Sequence, residues 1–141
     1  MKHLLRLKEF VLKYSKKGLT PDEIALGIAL GNFIGFIPIF GTHTVIALGL
    51  AHTFRLSPFF VVLGTQISNP LSFPIQLFLS AEIGSLVLNG KLLDIKFSGD
   101  LSYLSHYIGP ILTGSLILGI AASIISYILI KTIFLLRKTK E

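Results

Sequence analysis

The chain has 141 residues, 52% of them hydrophobic and only 14% charged, with a mean hydropathy of +0.77, whereas a soluble domain ordinarily carries about 25% charged residues. That composition excludes an ordinary water-exposed globule and points to an all-α integral membrane protein. The net charge of +6 collects at the two ends with no aromatic or glycine-rich binding motif beside it, so nucleic acid is not the expected partner. The lack of cysteine rules out disulfides and thiolate metal sites.

Residues 1–19 are expected to form an interfacial amphipathic helix. Leu4, Leu7, Val11 and Tyr14 recur at helical spacing, and Lys2, Arg6, Lys8, Lys13, Lys16 and Lys17 fill much of the remaining surface, an arrangement suited to lying among lipid headgroups. Arg6, Lys8 and Glu9 interrupt any apolar core before it reaches the length of a signal peptide.

Residues 20–90 form two apolar units, 20–56 and 57–90, each broken near its middle. Thr20-Pro21-Asp22-Glu23 reads as a capping box with proline at the first helical position and carboxylates at the positive end of the dipole. The helix it starts runs to Ile37, where Pro38 removes a donor and restricts the residue before it. A second piece runs from Thr42 to Phe54 and closes on Arg55. Ser57-Pro58 opens a third, which Asn69-Pro70 and Pro74 interrupt, and a fourth runs from Pro74 to Leu88 with its C-cap at Asn89-Gly90. Leu30-Gly31, Ile34 and Phe40 return 33 residues later as Leu63-Gly64, Ile67 and Phe73. Paired interrupted segments of this kind mark repeat-built transporters. Each unit is thus expected to be a broken or re-entrant hairpin.

Residues 91–107 mix charge and apolar groups and are expected to form an extracytoplasmic connection. A transmembrane helix over 108–136 follows, built on the uncharged run from Ile108 to Ile130, and residues 137–141 form a basic cytoplasmic tail. Positive charge at both ends places both termini in the cytoplasm. The units before the last helix must then make one net crossing, and Arg55 favours a cytoplasmic return for the first.

Backbone broken at membrane depth must be buried in protein or face a polar cavity, because an unsatisfied amide in lipid costs several kcal/mol. The helix start after Gly41 offers free amides, with Thr42, His43 and Thr44 as further donors, and the second break offers Gln66, Asn69 and Ser72. Two such ends aimed at one point would hold an anion such as a phosphate. The competing reading is that these groups only cap broken helices. Gly27, Gly31 and Gly35 lie on one helical face and read as a packing surface, and Ser115, Gly119, Ala122 and Ser126 form a small-residue seam that calls for a partner helix, in this chain or in a second copy making a homodimer. Of the ionisable groups within the apolar stretch, Glu82 could pair with Arg55 or couple protons, Arg55 suits the membrane surface, snorkelling or meeting a lipid phosphate and so assisting the anion site, and His52 suits a helix end. No HExxH, GxSxG or GxxxxGK pattern occurs, so the chain is not expected to be an enzyme or to hold a metal or cofactor.

The stretch from Ala25 to Thr44 matches A-x-G-x-A-x-G-x-F-x-G-x-x-P-x-x-G-x-x-T at Ala25, Gly27, Ala29, Gly31, Phe33, Gly35, Pro38, Gly41 and Thr44, and Asn69, Pro70, Ser72 and Pro74 match N-P-x-[ST]-x-P. Over about residues 20–136 the chain thereby resembles the bacterial integral-membrane family called domain of unknown function 2062 (DUF2062). The family more often has threonine at Ser72, and the hydroxyl is kept. The resemblance implies a small protein of the bacterial cytoplasmic membrane. Some members are joined to, or encoded beside, glycosyltransferases that use polyprenyl phosphate, so it also implies work on a lipid-linked phosphate. The layout resembles, in architecture alone, that of DedA-type carrier-lipid translocases. The expected function is therefore transport or flipping of an anionic lipid such as polyprenyl phosphate. The alternatives are a module that recruits a glycosyltransferase through the Gly27-Gly31-Gly35 face and the N-terminal helix, or a small oligomeric ion pathway.

Overall fold

A computed structural model describes residues 18–39, 41–94 and 105–139, and Lys2, Leu5, Arg6, Glu9 and Lys13 individually, as helical and exposed. The rest of the expected N-terminal helix and most of the 91–107 connection lie outside the described residues. Those residues hold five helices and no strand: α1 (Pro21–Phe36), α2 (His43–Thr53), α3 (Pro58–Thr65), α4 (Phe73–Asn89) and α5 (Ser105–Lys138).

Local chemistry sets most of the boundaries. Thr20 Oγ1 accepts the Glu23 amide at 3.2 Å while the Glu23 carboxylate accepts the Thr20 amide at 2.8 Å, closing the capping box at the start of α1. Ile37, forced away from helical geometry by Pro38, ends α1 at φ −74° and ψ 125°. Gly90 terminates α4 in the left-handed region at φ +67°. The end of α2 is less usual, since Arg55 takes the left-handed position at φ +54°. Its amide reaches the His52 carbonyl at 3.2 Å, and the Leu56 amide reaches Ala51 at 2.8 Å. This is a Schellman cap with arginine where glycine is the cheaper residue.

Glycine positions reveal how the helices run. A Cβ placed on Gly27 would lie 3.0 Å from Phe60, and one on Gly35 would lie 3.2 Å from Ser68. Between them, a Cβ on Gly31 would strike the Val61 carbonyl and one on Gly64 would strike the Ile28 carbonyl. The pairs 27/60, 31/64 and 35/68 climb together, so α1 and α3 are parallel, and each pair is 33 residues apart, the offset of the sequence echo. The clashes are reciprocal as well, 31 with 61 and 64 with 28. That pattern is the signature of a local two-fold axis running along the helices.

Helix α5 runs antiparallel to α1. Lys131 and Tyr127 reach Asp22, Ser123 lies against the Ala29 carbonyl, and Gly119 lies against Phe33 and Phe36. It is antiparallel to α4 too, through a crossing where Gly84 abuts Pro110 and Gly114 abuts Ser80 at backbone contact. Helices α1, α3 and α4 therefore share one direction. The first unit is a hairpin in which α2 turns back, while the second is one helix path interrupted at residues 66–72.

Two apolar clusters hold this arrangement around α1. Ile24, Ala25, Ile28, Phe60 and Ile130 tie α1 to α3 and α5, and Ile34, Ala47, Ala51 and Val61 tie it to α2 and α3.

Candidate functional site

The first break is closed from inside. The Ile37 carbonyl, beyond the last turn of α1, accepts the Ile39 amide at 2.8 Å, and His43 Nε2 also lies 2.8 Å from it, so the ring N–H donates there. Gly41, at φ +74°, supplies the turn before Thr42. Thr42 stands at the N-cap of α2 without a side-chain hydrogen bond to the helix, and Gly41, Thr42 and Thr44 are exposed. The amides of the first turn of α2 consequently lack a side-chain cap.

The second break is an Asx turn. Asn69 Oδ1 accepts the Leu71 and Ser72 amides, both at 2.9 Å. The Ser72 hydroxyl donates to the Ile67 carbonyl at 2.9 Å and receives the Asn69 amide at 3.1 Å. Ser68 Oγ donates to Gln76 Oε1 at 2.5 Å, lacing the break to the first turn of α4. Ser72 makes no side-chain cap to α4, and Gln66 and Asn69 are exposed.

The breaks lie at one level. Gly35, three residues before Pro38, meets Thr65 and Ser68 at the start of the second break, and the end of α1 crosses α5 at Gly119. Gly119 is eleven residues from either end of the uncharged run Ile108–Ile130. Thr42, His43 and Thr44 on one side and Gln66, Asn69 and Ser72 on the other thus belong to two interruptions halfway along the longest apolar helix.

A family described as "Uncharacterized protein conserved in bacteria (DUF2062)" matches residues 5–141. The chain belongs to the DUF2062 family. No curated protein and no solved structure matches it.

In this DUF2062 protein the remaining candidate residues stand apart from the breaks. Arg55 lies at the far end of α2, level with the start of α1. Glu82 lies two turns into α4 beyond the second break, and its carboxylate accepts the Leu93 amide at 3.2 Å. Arg55 and Glu82 are consequently at opposite ends of the bundle, and the ion pair considered between them does not form: α2 runs away from the end toward which α4 climbs. The glycine face of Gly27, Gly31 and Gly35 is filled by α3 of the same chain.

Two polar clusters escaped the sequence reading. Asn32 is buried, with 3% of its surface exposed, and its Nδ2 donates to the Ala122 carbonyl at 3.2 Å and Ser126 Oγ at 2.7 Å, while Oδ1 has no partner among the described residues. It was legible as the one amide side chain between Ile24 and Ile37, and its partners are two residues of the small-residue seam. At the start of α1, ahead of its apolar run, Asp22 accepts the Tyr127 hydroxyl at 2.9 Å and pairs with Lys131 at 3.1 Å. The spacing of Tyr127 and Lys131 by four residues was the available signal.

The Tyr127 hydroxyl, and then the Lys131 ammonium, hold the Asp22 carboxyl below its ordinary range. A carboxyl depressed in the folded state adds stability above its unfolded pKa, and that stability is lost as the pH falls through the folded value. Acidification through and below the ordinary carboxylate range is therefore expected to lower the melting temperature. Asp22→Asn should remove the part of that slope due to this group, as read by thermal unfolding across pH; an unchanged slope would show that the contact contributes nothing. Because the cluster is solvent-exposed, the effect should be small.

Proposed function

We propose that this DUF2062 protein is embedded in the bacterial cytoplasmic membrane with both termini cytoplasmic, and that it moves an anionic lipid across it, with polyprenyl phosphate or its sugar-linked form as the cargo. Helix α5 supports the membrane setting. Its 34 residues extend about 51 Å, and only 11% of its most apolar window is buried, whereas the core helix of a soluble protein would be mostly covered. Leu71, Ile75, Leu116, Ile124 and Ile128 turn large apolar side chains outward. Water would oppose such a surface and hydrocarbon would not.

The observation that carries the transport reading is the meeting of the two breaks at mid-height of that apolar helix. The first break precedes a helix start without a side-chain cap, whereas at the second Asn69 takes the amides, and each exposes polar side chains: Thr42 and Thr44 at one, Gln66 and Asn69 at the other. In hydrocarbon such groups need a partner, and a lipid phosphate passing between the leaflets supplies acceptors for amides and hydroxyls together. His43 and Ser72 shape the breaks and Asn69 Nδ2 faces the cargo. Arg55 serves at the cytoplasmic surface. Glu82 is left out of the path, since its carboxylate is held by a backbone amide at the far end of α4. Recruitment of a glycosyltransferase through the glycine face is disfavoured, because α3 occupies that face.

Purified protein reconstituted into vesicles containing a fluorescent anionic lipid tests this proposal. Bleaching of the outer leaflet by an impermeant reductant should reach the inner-leaflet dye faster than in protein-free vesicles. Equal rates, with correctly folded protein in the bilayer and with a prenyl phosphate probe as well as a phosphatidylglycerol probe, would reject it.

A further inference from the structure

An open groove of about 440 Å³ runs along the seam between α1 and α5, over the contact of Ala29 with Ser123, within the range of about 300–1,000 Å³ typical of small-ligand sites. Leu26, Leu30 and Phe33 line it from α1, and Ile120 and Ile124 from α5. Phe54 and Leu56, from the α2–α3 connection, complete its wall at the end nearest the start of α1. The groove therefore runs about 10 Å along α1, from Leu26 to Phe33, and fits within the depth of one leaflet.

Between Phe54 and Leu56 stands Arg55. It is exposed, occupies the left-handed region at φ +54°, and forms no ion pair among the described residues. Lys131, at the same end, is paired with Asp22. An arginine where glycine would be less strained, placed at the open end of an apolar groove, has the charge to meet a lipid phosphate.

We propose that this groove is a docking site for a net-negative phospholipid of the cytoplasmic leaflet, with one hydrocarbon chain lying in the surface seam of α1 and α5 and the phosphate on Arg55. The site is separate from the breaks. It rests on the membrane setting proposed above and does not depend on transport.

The chain has no tryptophan, so Phe54→Trp introduces a single fluorophore on the groove wall, and Leu79→Trp introduces one on the outward face of α4 as a control. Both proteins are placed in bilayers containing chain-brominated phosphatidylglycerol or chain-brominated phosphatidylcholine, and the ratio of the quenching constants of the two lipids is measured. Phosphatidylglycerol should be preferred about fivefold at Phe54→Trp, equivalent to about 1 kcal/mol for one arginine near an anionic lipid, and not at Leu79→Trp. Adding Arg55→Gly should abolish the preference while leaving the melting temperature equal or higher, because glycine relieves the left-handed strain. If Arg55 only caps α2, the preference will survive Arg55→Gly, and the proposal fails. Equal ratios at the two reporters would overturn it as well, and so would a Phe54→Trp signal that neither lipid quenches, since the groove would then be covered by the N-terminal segment or by a second copy. A preserved preference in a protein that flips no lipid would leave this site standing and remove only the transport reading.

Discussion

Gly31→Ala and Gly64→Ala are each expected to destabilise the protein by about 3 kcal/mol or more, because the added methyl has nowhere to go. The Cβ at Gly31 would strike the Val61 carbonyl and lie 2.9 Å from Gly64 Cα, and the Cβ at Gly64 would strike the Ile28 carbonyl and lie 2.9 Å from Gly31 Cα. Backbone cannot rotate aside as a side chain can, so α1 and α3 must separate along their whole contact, from Gly27 to Ser68. Gly49→Ala is the matched control: Gly49 is exposed on α2 with nothing within 4 Å of its added Cβ, and alanine there should be neutral or stabilising by about 0.5–1 kcal/mol. Thermal unfolding of the three purified variants decides the matter. If Gly31→Ala melts with the parent protein, the helices do not touch at these glycines.

The second large effect concerns Asn69, where two substitutions separate building the break from serving the proposed cargo. Asn69→Ala removes the acceptor shared by the Leu71 and Ser72 amides and should cost about 1–2 kcal/mol of stability, as the loss of a capping side chain does. Asn69→Asp keeps an oxygen for both amides, so the turn should persist. It removes the two amide protons, however, and sets a negative charge toward a phosphate. Loss of one hydrogen bond to a charged group, worth about 1.5–3 kcal/mol, should slow lipid flipping about ten- to a hundredfold, with the melting temperature nearly unchanged. Parental flipping by Asn69→Asp would mean that Asn69 only shapes the chain.

Much of the fold was legible wherever one residue type decides the backbone locally. The Thr20 capping box, the stop before Pro38 and the left-handed Gly90 are of this kind. The 33-residue echo, weak as a sequence pattern, became informative only when equivalent residues were found touching, because a contact needs three dimensions to express it. The direction of the second unit was not legible either: α3 and α4 read as two pieces around a break, and only the crossing of Gly84 and Gly114 with Pro110 and Ser80 shows that they continue in one sense. In the candidate site, the residue types were visible but their commitments were not. His43 reads as a donor for an anion, yet its Nε2 proton goes to the Ile37 carbonyl, within the break itself. Asn69 reads as an amide free to turn either way, yet its oxygen is fixed by two backbone amides. Asn32 carries no charge to mark it within the apolar run, although burying an amide without full satisfaction is costly.

The proposed meeting of the two breaks in mid-membrane requires the first unit to turn back and the second to go through. The chain's lack of cysteine allows this to be read directly with single cysteines at Thr53, Lys91 and Thr139, labelled by an impermeant maleimide from either side of the membrane. Thr53→Cys and Thr139→Cys should react from the cytoplasmic side and Lys91→Cys from the opposite side. Labelling of Thr53→Cys from the same side as Lys91→Cys would mean that the first unit crosses, and the shared site between the breaks would not exist.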